Sequence, residues 1–183
     1  MSPLLNTRTV SGRTPNVPAT DRSWLHVDIA RQQLRLRAND AQGSVLCRFP
    51  VATGRNGVGE EQSSGCTPRG WHQVRAMIGG NAEPGTVFVG RRPTGEVYAP
   101  SLALAQPDRD WILSRIIWLS GLEPGFNRLG RRDTMRRFIY IHGGPDDRPV
   151  GEPGSRGCVR MHNADVIALY DQVEPGMRVF IEG

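Results

Sequence analysis

The stretch FIYIHGGPDDRPVGEPGSRGCVRMHN, residues 138–163, decides how this chain is read. A short apolar strand from Arg137 to Ile141 ends at His142. A loop rich in Gly and Pro runs from His142 to Gly157 and delivers Cys158. Asn163 then N-caps a helix with Asp165 in its first turn and Val166, Leu169, Tyr170 and Val173 on one face, ended by Gly176. A histidine at the end of a buried strand and a cysteine at the end of a glycine-lined loop are the parts of an activated thiol. A free thiol with a pKa near 8.5 is about 3% thiolate at neutral pH. An adjacent imidazolium or guanidinium that lowered it to about 6 would make it about 90% thiolate. His142 is the candidate partner, Arg156 and Arg160 flank the thiol, and Gly157 lets a substrate approach the backbone. The amides of Gly157 and Cys158 are candidates for an oxyanion hole. On spacing alone, one Cys and one His are a weak sign of a catalytic pair. A metal site of His142, Cys158 and His162 has no zinc-type spacing and lacks a fourth ligand, so no metal is assigned. His162, beside the helix start, reads as solvated.

Outward from this segment the pattern is mainly strand. Leu25, Val27 and Ile29 alternate with Trp24, His26 and Asp28, and Leu34–Arg37 alternates again after a polar turn. Val45, Cys47, Phe49 and Val51 share a face, which makes Cys47 a packing residue. The loop from Thr53 to Gly70 carries Cys66 and is long enough to suggest function. Strands resume at Trp71–Ile78 and Thr86–Val89, with His72 in register with apolar neighbours as a structural histidine. From Ser101 to Gly121 the period changes: Asp108 or Asp110 caps a predicted helix with Ile112, Arg115, Ile116 and Leu119 in line, and Trp111 and Trp118 packing on one side. Arg178–Ile181 closes the chain as a strand. The fold class is therefore mainly β (a β-rich α+β domain) with one or two packed helices.

Composition sets the limits. A chain of 183 residues suits one domain with a real core. All 23 basic residues are Arg, so the positive surface is made of planar forks suited to carboxylates and phosphates. A net charge of +5 fits an acidic partner. The arginines are scattered, however, and no nucleic-acid-binding motif accompanies them, which argues against a nucleic-acid partner. Three cysteines cannot all pair with one another. Residues 1–22 are polar and read as a disordered arm, without the apolar run of a signal peptide or membrane segment. As it stands, the sequence predicts a cytoplasmic protein, or a periplasmic one if a leader precedes it.

With its neighbours, the opening segment resembles the signature of L,D-transpeptidase catalytic domains of the YkuD type. The match is His142–Gly143 after a strand, then Ser155, Gly157–Cys158–Val159–Arg160 and Asn163. "PVATG" at 50–54 and "TPRG" at 67–70 resemble the first half of that family, so the likeness covers roughly residues 24–183. It implies a single β-sandwich catalytic domain over 23–183 with no cofactor. Cys158 would be the nucleophile, His142 its base, and the Gly143 carbonyl would orient the imidazole. Ser155, Arg156, Arg160 and Tyr140 would contact substrate, and Asn163 would hold the loop onto the helix. Many members carry His where this chain has Arg156, which alters substrate contacts and not the base. Residues 102–133 look long for a minimal domain and suggest a lid over the cleft.

The same resemblance implies attack on the diamino acid–D-Ala bond of peptidoglycan stem tetrapeptides or soluble muropeptides, and acylation by carbapenem-type inhibitors. Passing the acyl group to water makes an L,D-carboxypeptidase of muropeptide recycling, the reading that the missing leader favours. Passing it to an amine makes a transpeptidase that forms 3-3 cross-links. A non-catalytic wall-binding module is the third reading, against which the intact Cys158 and His142 stand. For an enzyme with a second, acyl-accepting stem excluded, Arg131, Arg132 and Arg156 are expected to hold the carboxylates of a small free substrate.

Overall fold

Trp24–Asp28 (β1) is buried along its whole length, because it lies mid-sheet between Gln33–Arg37 (β2) and Arg178–Glu182 (β10). The computed structural model describes residues 23–183, and the expected arm 1–22 lies outside the described residues. From β2 the sheet continues on one side to Val45–Pro50 (β3). From β10 it continues through Gly70–Ile78 (β4) to Ile112–Gly121 (β7), and then to the hairpin of Thr86–Val89 (β5) and Arg92–Val97 (β6). Beside β7 also lies Tyr140–Gly143 (β8), which pairs in parallel with Val159–Met161 (β9). The sheet is mixed: β1–β10 and β8–β9 run parallel and the other ladders antiparallel.

Two short helices, Pro100–Ala105 (α1) and Asn163–Tyr170 (α2), complete this strand-rich domain, as the sequence implies. The largest core unites residues such as Leu25, Val27, Val74, Ile117, Ile141, Val159, Val166 and Val179 from both ends of the sheet. Ala52, just past β3, exchanges both backbone hydrogen bonds with Arg160 of β9, at 2.8 and 2.9 Å. The hydrogen-bonded path thus returns upon itself, and the two stretches "PVATG" and "SRGCVR" meet. Among the described residues, no helix is long and apolar enough to cross a membrane.

The helix expected after Asp108 is a strand. Ile112, Ile116 and Leu119 do recur at helical spacing, but ILSRIIWLSG is rich in β-branched residues and is buried on both faces between β4, β5 and β8. Burial on both faces erases the alternation that marks a strand. A bulge breaks the phase as well: Ser114 has φ +64°, and the register against β8 shifts between Leu113 and Ile116. Trp111 and Trp118 accordingly enter different clusters, one with Val87 and Leu113, the other against Phe88, Ile116 and Tyr140. The centre of the expected lid, 102–133, is therefore core strand, and only its flanks can border a cleft.

Smaller corrections follow from capping. β8 starts at Tyr140, later than Arg137, because Phe138 takes φ +58° and interrupts the ladder. α2 has His162 at its N-cap and Asn163 as its first residue. The orphan Asn163 amide is satisfied from a distance, by Asp146 Oδ1 at 3.0 Å. The helix ends at Tyr170, well before Gly176.

Candidate active site

Strand β8 carries His142 and the turn before β9 carries Cys158, so parallel pairing of the two strands brings both residues to one end of the sheet. They line the same cavity of about 180 Å³. His142 is 2% exposed, and its Nδ1 lies 2.7 Å from the carbonyl oxygen of Gly143. A carbonyl can only accept, so Nδ1 carries the hydrogen and the lone pair of the neutral ring is on Nε2. Gly143 cannot be larger: a Cβ there would meet Asn163 Oδ1 at 2.6 Å and the Leu113 carbonyl at 2.7 Å. Asn163, the first residue of α2, donates to the Gly144 carbonyl at 3.0 Å and accepts from Ser114 Oγ at 2.5 Å.

The nucleophile turn is pinned from within and from below. Ser155 Oγ donates to the Cys158 carbonyl at 2.5 Å and accepts from the Gly157 amide at 3.1 Å. Ser155 is thus a turn residue first, although it also borders the cavity. The Gly157 amide, expected in the oxyanion hole, is committed to Ser155, and the Cys158 amide is left without a partner among the described residues. Gly157 has φ +119°, and a Cβ would meet the Cys66 carbonyl at 2.9 Å, so only glycine fits. Thr67 of the "TPRG" stretch donates to the Gly157 carbonyl at 2.9 Å and accepts from the Gly54 amide at 2.8 Å.

The thiol is held by backbone. The Tyr140 amide donates to Cys158 Sγ at 3.3 Å, and Sγ lies 3.5 Å from the Phe138 carbonyl. Tyr140, expected to touch substrate, has its side chain buried with Trp118 and its hydroxyl accepting from Arg91 at 3.0 Å. Burial pushes the Cys158 thiol up to about 12, against the Tyr140 amide and the Arg137 guanidinium, which favour thiolate. Burial also holds His142 below its ordinary range, while the Asp110 carboxylate opposes that. The resting pair is therefore neutral thiol and neutral imidazole. Desolvation at the buried imidazole and the partly exposed thiol thus runs against the expected standing thiolate.

Around the thiol the cavity is polar. Arg55, Arg148, Arg156 and Arg160 face Asp108 and Asp110 across it. Arg160 is 7% exposed; one Nη donates to the Pro149 carbonyl at 2.7 Å, and its buried Nε has no partner among the described residues. The expected helix caps Asp108 and Asp110 instead form one wall, and Arg156 Nη2 donates to the Asp108 carbonyl at 2.8 Å across the opening. Arg109 steadies that wall by stacking 4.4 Å over Trp111 and pairing with Glu96 at 2.7 Å. Arg131 and Arg132 line neither cavity beside Cys158; they pair with Glu61 at 3.7 and 2.6 Å. Sequence reasoning missed Arg55, Arg148, Asp110 and Arg137, which carry no motif and reach the site only through the fold.

Elsewhere, His72 is fully buried between the Gly70 carbonyl and Thr134 Oγ1, as a structural histidine should be. Cys47 packs against the core, Cys66 lies against the Asn56 carbonyl, and all three cysteines are free thiols. His162 faces Asp146 at 3.4 Å, away from the pair.

The strand-rich domain thus places a thiol and an imidazole in one cleft. The sequence model of the L,D-transpeptidase catalytic domain matches residues 22–181, and the chain belongs to that family. It is 40% identical over 57 residues to YqjB of Bacillus subtilis, which is named as an L,D-transpeptidase; the match covers 31% of each chain. An L,D-transpeptidase from Mycobacterium smegmatis has the same fold at TM-score 0.52 and 18% identity, covering 88% of this chain and 59% of that one. The L,D-transpeptidase LdtMt1 in complex with imipenem has it at 0.51 and 17%, with 88% and 59% covered. The chain spans under two thirds of the length of these relatives.

Proposed function

We propose that the protein is a cysteine acyl-transfer enzyme that cleaves the diamino acid–D-Ala bond of peptidoglycan stem tetrapeptides and passes the acyl group to water. One observation carries this: Cys158 and His142 line a single arginine-rich cavity in which the imidazole presents an unprotonated Nε2. As the sulfur–carbon bond forms, the thiol proton moves to Nε2, and the pair passes from neutral to charged only with substrate in place. The Asp110 carboxylate on the cavity wall favours the imidazolium that results. The Ser155 bonds hold the Cys158 turn in place, so the free Cys158 N–H can serve the developing oxyanion. Collapse breaks the carbon–nitrogen bond, and the imidazolium returns its proton to the departing amine of D-Ala. Water then attacks the thioester, giving a proton to His142, and the tripeptide leaves as the thiol is restored.

Hydrolysis is favoured by size. The cavity at the thiol, about 180 Å³, is of a size for the reacting residues of one stem, which supports water as the acceptor there. The 3-3 cross-linking reading keeps one observation in its favour, a second cavity on the other side of Arg156. Imipenem binding by a protein of the same fold supports acylation of Cys158 by carbapenems. Intact mass after mixing with imipenem tests the enzyme reading: one adduct, lost in Cys158→Ala, is expected. An unmodified wild-type protein would point to the non-catalytic binding module.

A further inference from the structure

The second cavity, about 230 Å³, is lined by Arg136, Arg137 and Arg156 with Gln62 and Ser63, and no carboxylate. Of the acids nearest in sequence, Asp133 accepts from the backbone amides of Arg136 and Leu129, and the two glutamates are paired with other arginines. Glu60 receives Arg69 at 2.9 and 3.3 Å, and Glu61 pairs with Arg131 and Arg132. Arg137 gives four hydrogen bonds to neutral oxygens: the carbonyls of Gly59, Glu60 and Cys66, and Ser64 Oγ. Those bonds fix its place without cancelling its charge. Arg156 spends one nitrogen on the Asp108 carbonyl, and the Arg136 guanidinium has no partner among the described residues. Three arginines thus line the hollow and no carboxylate does, so its net positive charge is open to an anion.

The hollow is next to the nucleophile. Phe138 lines it, and the Phe138 carbonyl lies 3.5 Å from Cys158 Sγ. Arg156 borders both cavities, so a chain crossing the thiol has the mixed Asp and Arg wall on one side and arginine alone on the other. We propose that the arginine cavity is a carboxylate site that holds the free C-terminal carboxylate of the residue being expelled, so that the protein cuts only at the end of a stem. This rests on the stem-peptide reading above. The α-carboxylate of a terminal residue lies within one residue of the scissile nitrogen, a reach of about 3.8 Å between Cα atoms. Guanidinium forks recognise such a carboxylate in bidentate fashion, and an amide in its place forfeits the charge.

The test compares the full chain on a stem tetrapeptide with a free C-terminus and on the same peptide ending in a carboxamide. The free acid is expected to have about 30-fold higher kcat/KM, mostly through KM, the size of a lost charged hydrogen bond. Arg137 also anchors a loop, so the variant is the double Arg136→Gln/Arg156→Gln, whose preference should fall below about threefold, as loss of those charged bonds requires. Equal cutting of acid and amide by the wild type overturns the site, as does full preference in the double variant. Inhibition by inorganic phosphate together with equal cutting would show a general anion site and also overturns it. In each of these cases an imipenem adduct on Cys158 leaves the enzyme reading standing. Failure to cut either peptide, with Cys158 unmodified by imipenem, removes that reading and this one together.

Discussion

Thr67 donates its hydroxyl hydrogen to the carbonyl of Gly157 at 2.9 Å, across ninety positions of sequence. The same oxygen accepts from the Gly54 amide, so one buried hydroxyl locks the first-half loop to the turn that presents Cys158. Thr67→Val keeps the shape and leaves a buried carbonyl and a buried amide unpaired. It should cost about 1–3 kcal/mol of stability and lower kcat by more than about tenfold, because a small displacement of the turn moves the thiol. Denaturant melts and stem-peptide kinetics on the variant measure both. Wild-type kcat with wild-type stability would remove Thr67 from the account.

The acidity of the pair has a definite sign. With the thiol pushed up to about 12 by burial, Cys158 is neutral at rest. Iodoacetamide should modify it at pH 6 to 8 more slowly than a free cysteine of pKa near 8.5. Turnover needs neutral His142, whose pKa burial places below the ordinary 6.5, so kcat/KM should rise with pH through an acid limb below 6.5 and then level. Asp110→Asn removes a carboxylate that favours protonated His142, and should move that limb lower still. Rapid alkylation at pH 6, with a thiolate absorbance, would instead establish a standing ion pair.

His72 gives the fold its own pH dependence. Its imidazole titrates near 6.5 when unfolded and at about 4 when buried in the fold. Between those values the unfolded chain binds the extra proton, so stability is complete above 6.5 and declines as pH falls to 4. The loss attributable to this residue is about 3 kcal/mol. His72→Gln should flatten the pH-stability curve over that window relative to wild type. Parallel curves for the two proteins would show that another group carries the effect.

Much of this was legible beforehand because it depends on local pattern. Alternation at Leu25–Ile29 and Val45–Val51, and the strands at Thr86–Val89 and Arg178–Ile181, appear where the sequence predicts them. The segment at 138–163 likewise announced His142, Gly143 and Asn163 by motif. What failed was non-local. β7 reads as a helix because sheet neighbours bury both of its faces, a fact that no window of its own residues contains. The hairpin turn at Gly90–Arg91, with φ +56° and +68°, hid β6 behind a polar sequence. Asp110 and Arg137 reach the thiol only after β7 and β8 have paired. The same holds for the acidity: flanking arginines are visible in sequence, while the desolvation that opposes them is not.

The central claim is that Cys158 takes the acyl group of a stem and water removes it. The most direct measurement is mass spectrometry of a disaccharide-tetrapeptide incubated with the protein in H₂¹⁸O, with and without an added amine acceptor. The account predicts D-Ala and a tripeptide carrying one ¹⁸O atom as the main products in both mixtures, and no product from Cys158→Ala. Dimers joined between two third-position residues as the major product, or release of D-Ala by Cys158→Ala at the wild-type rate, would contradict it.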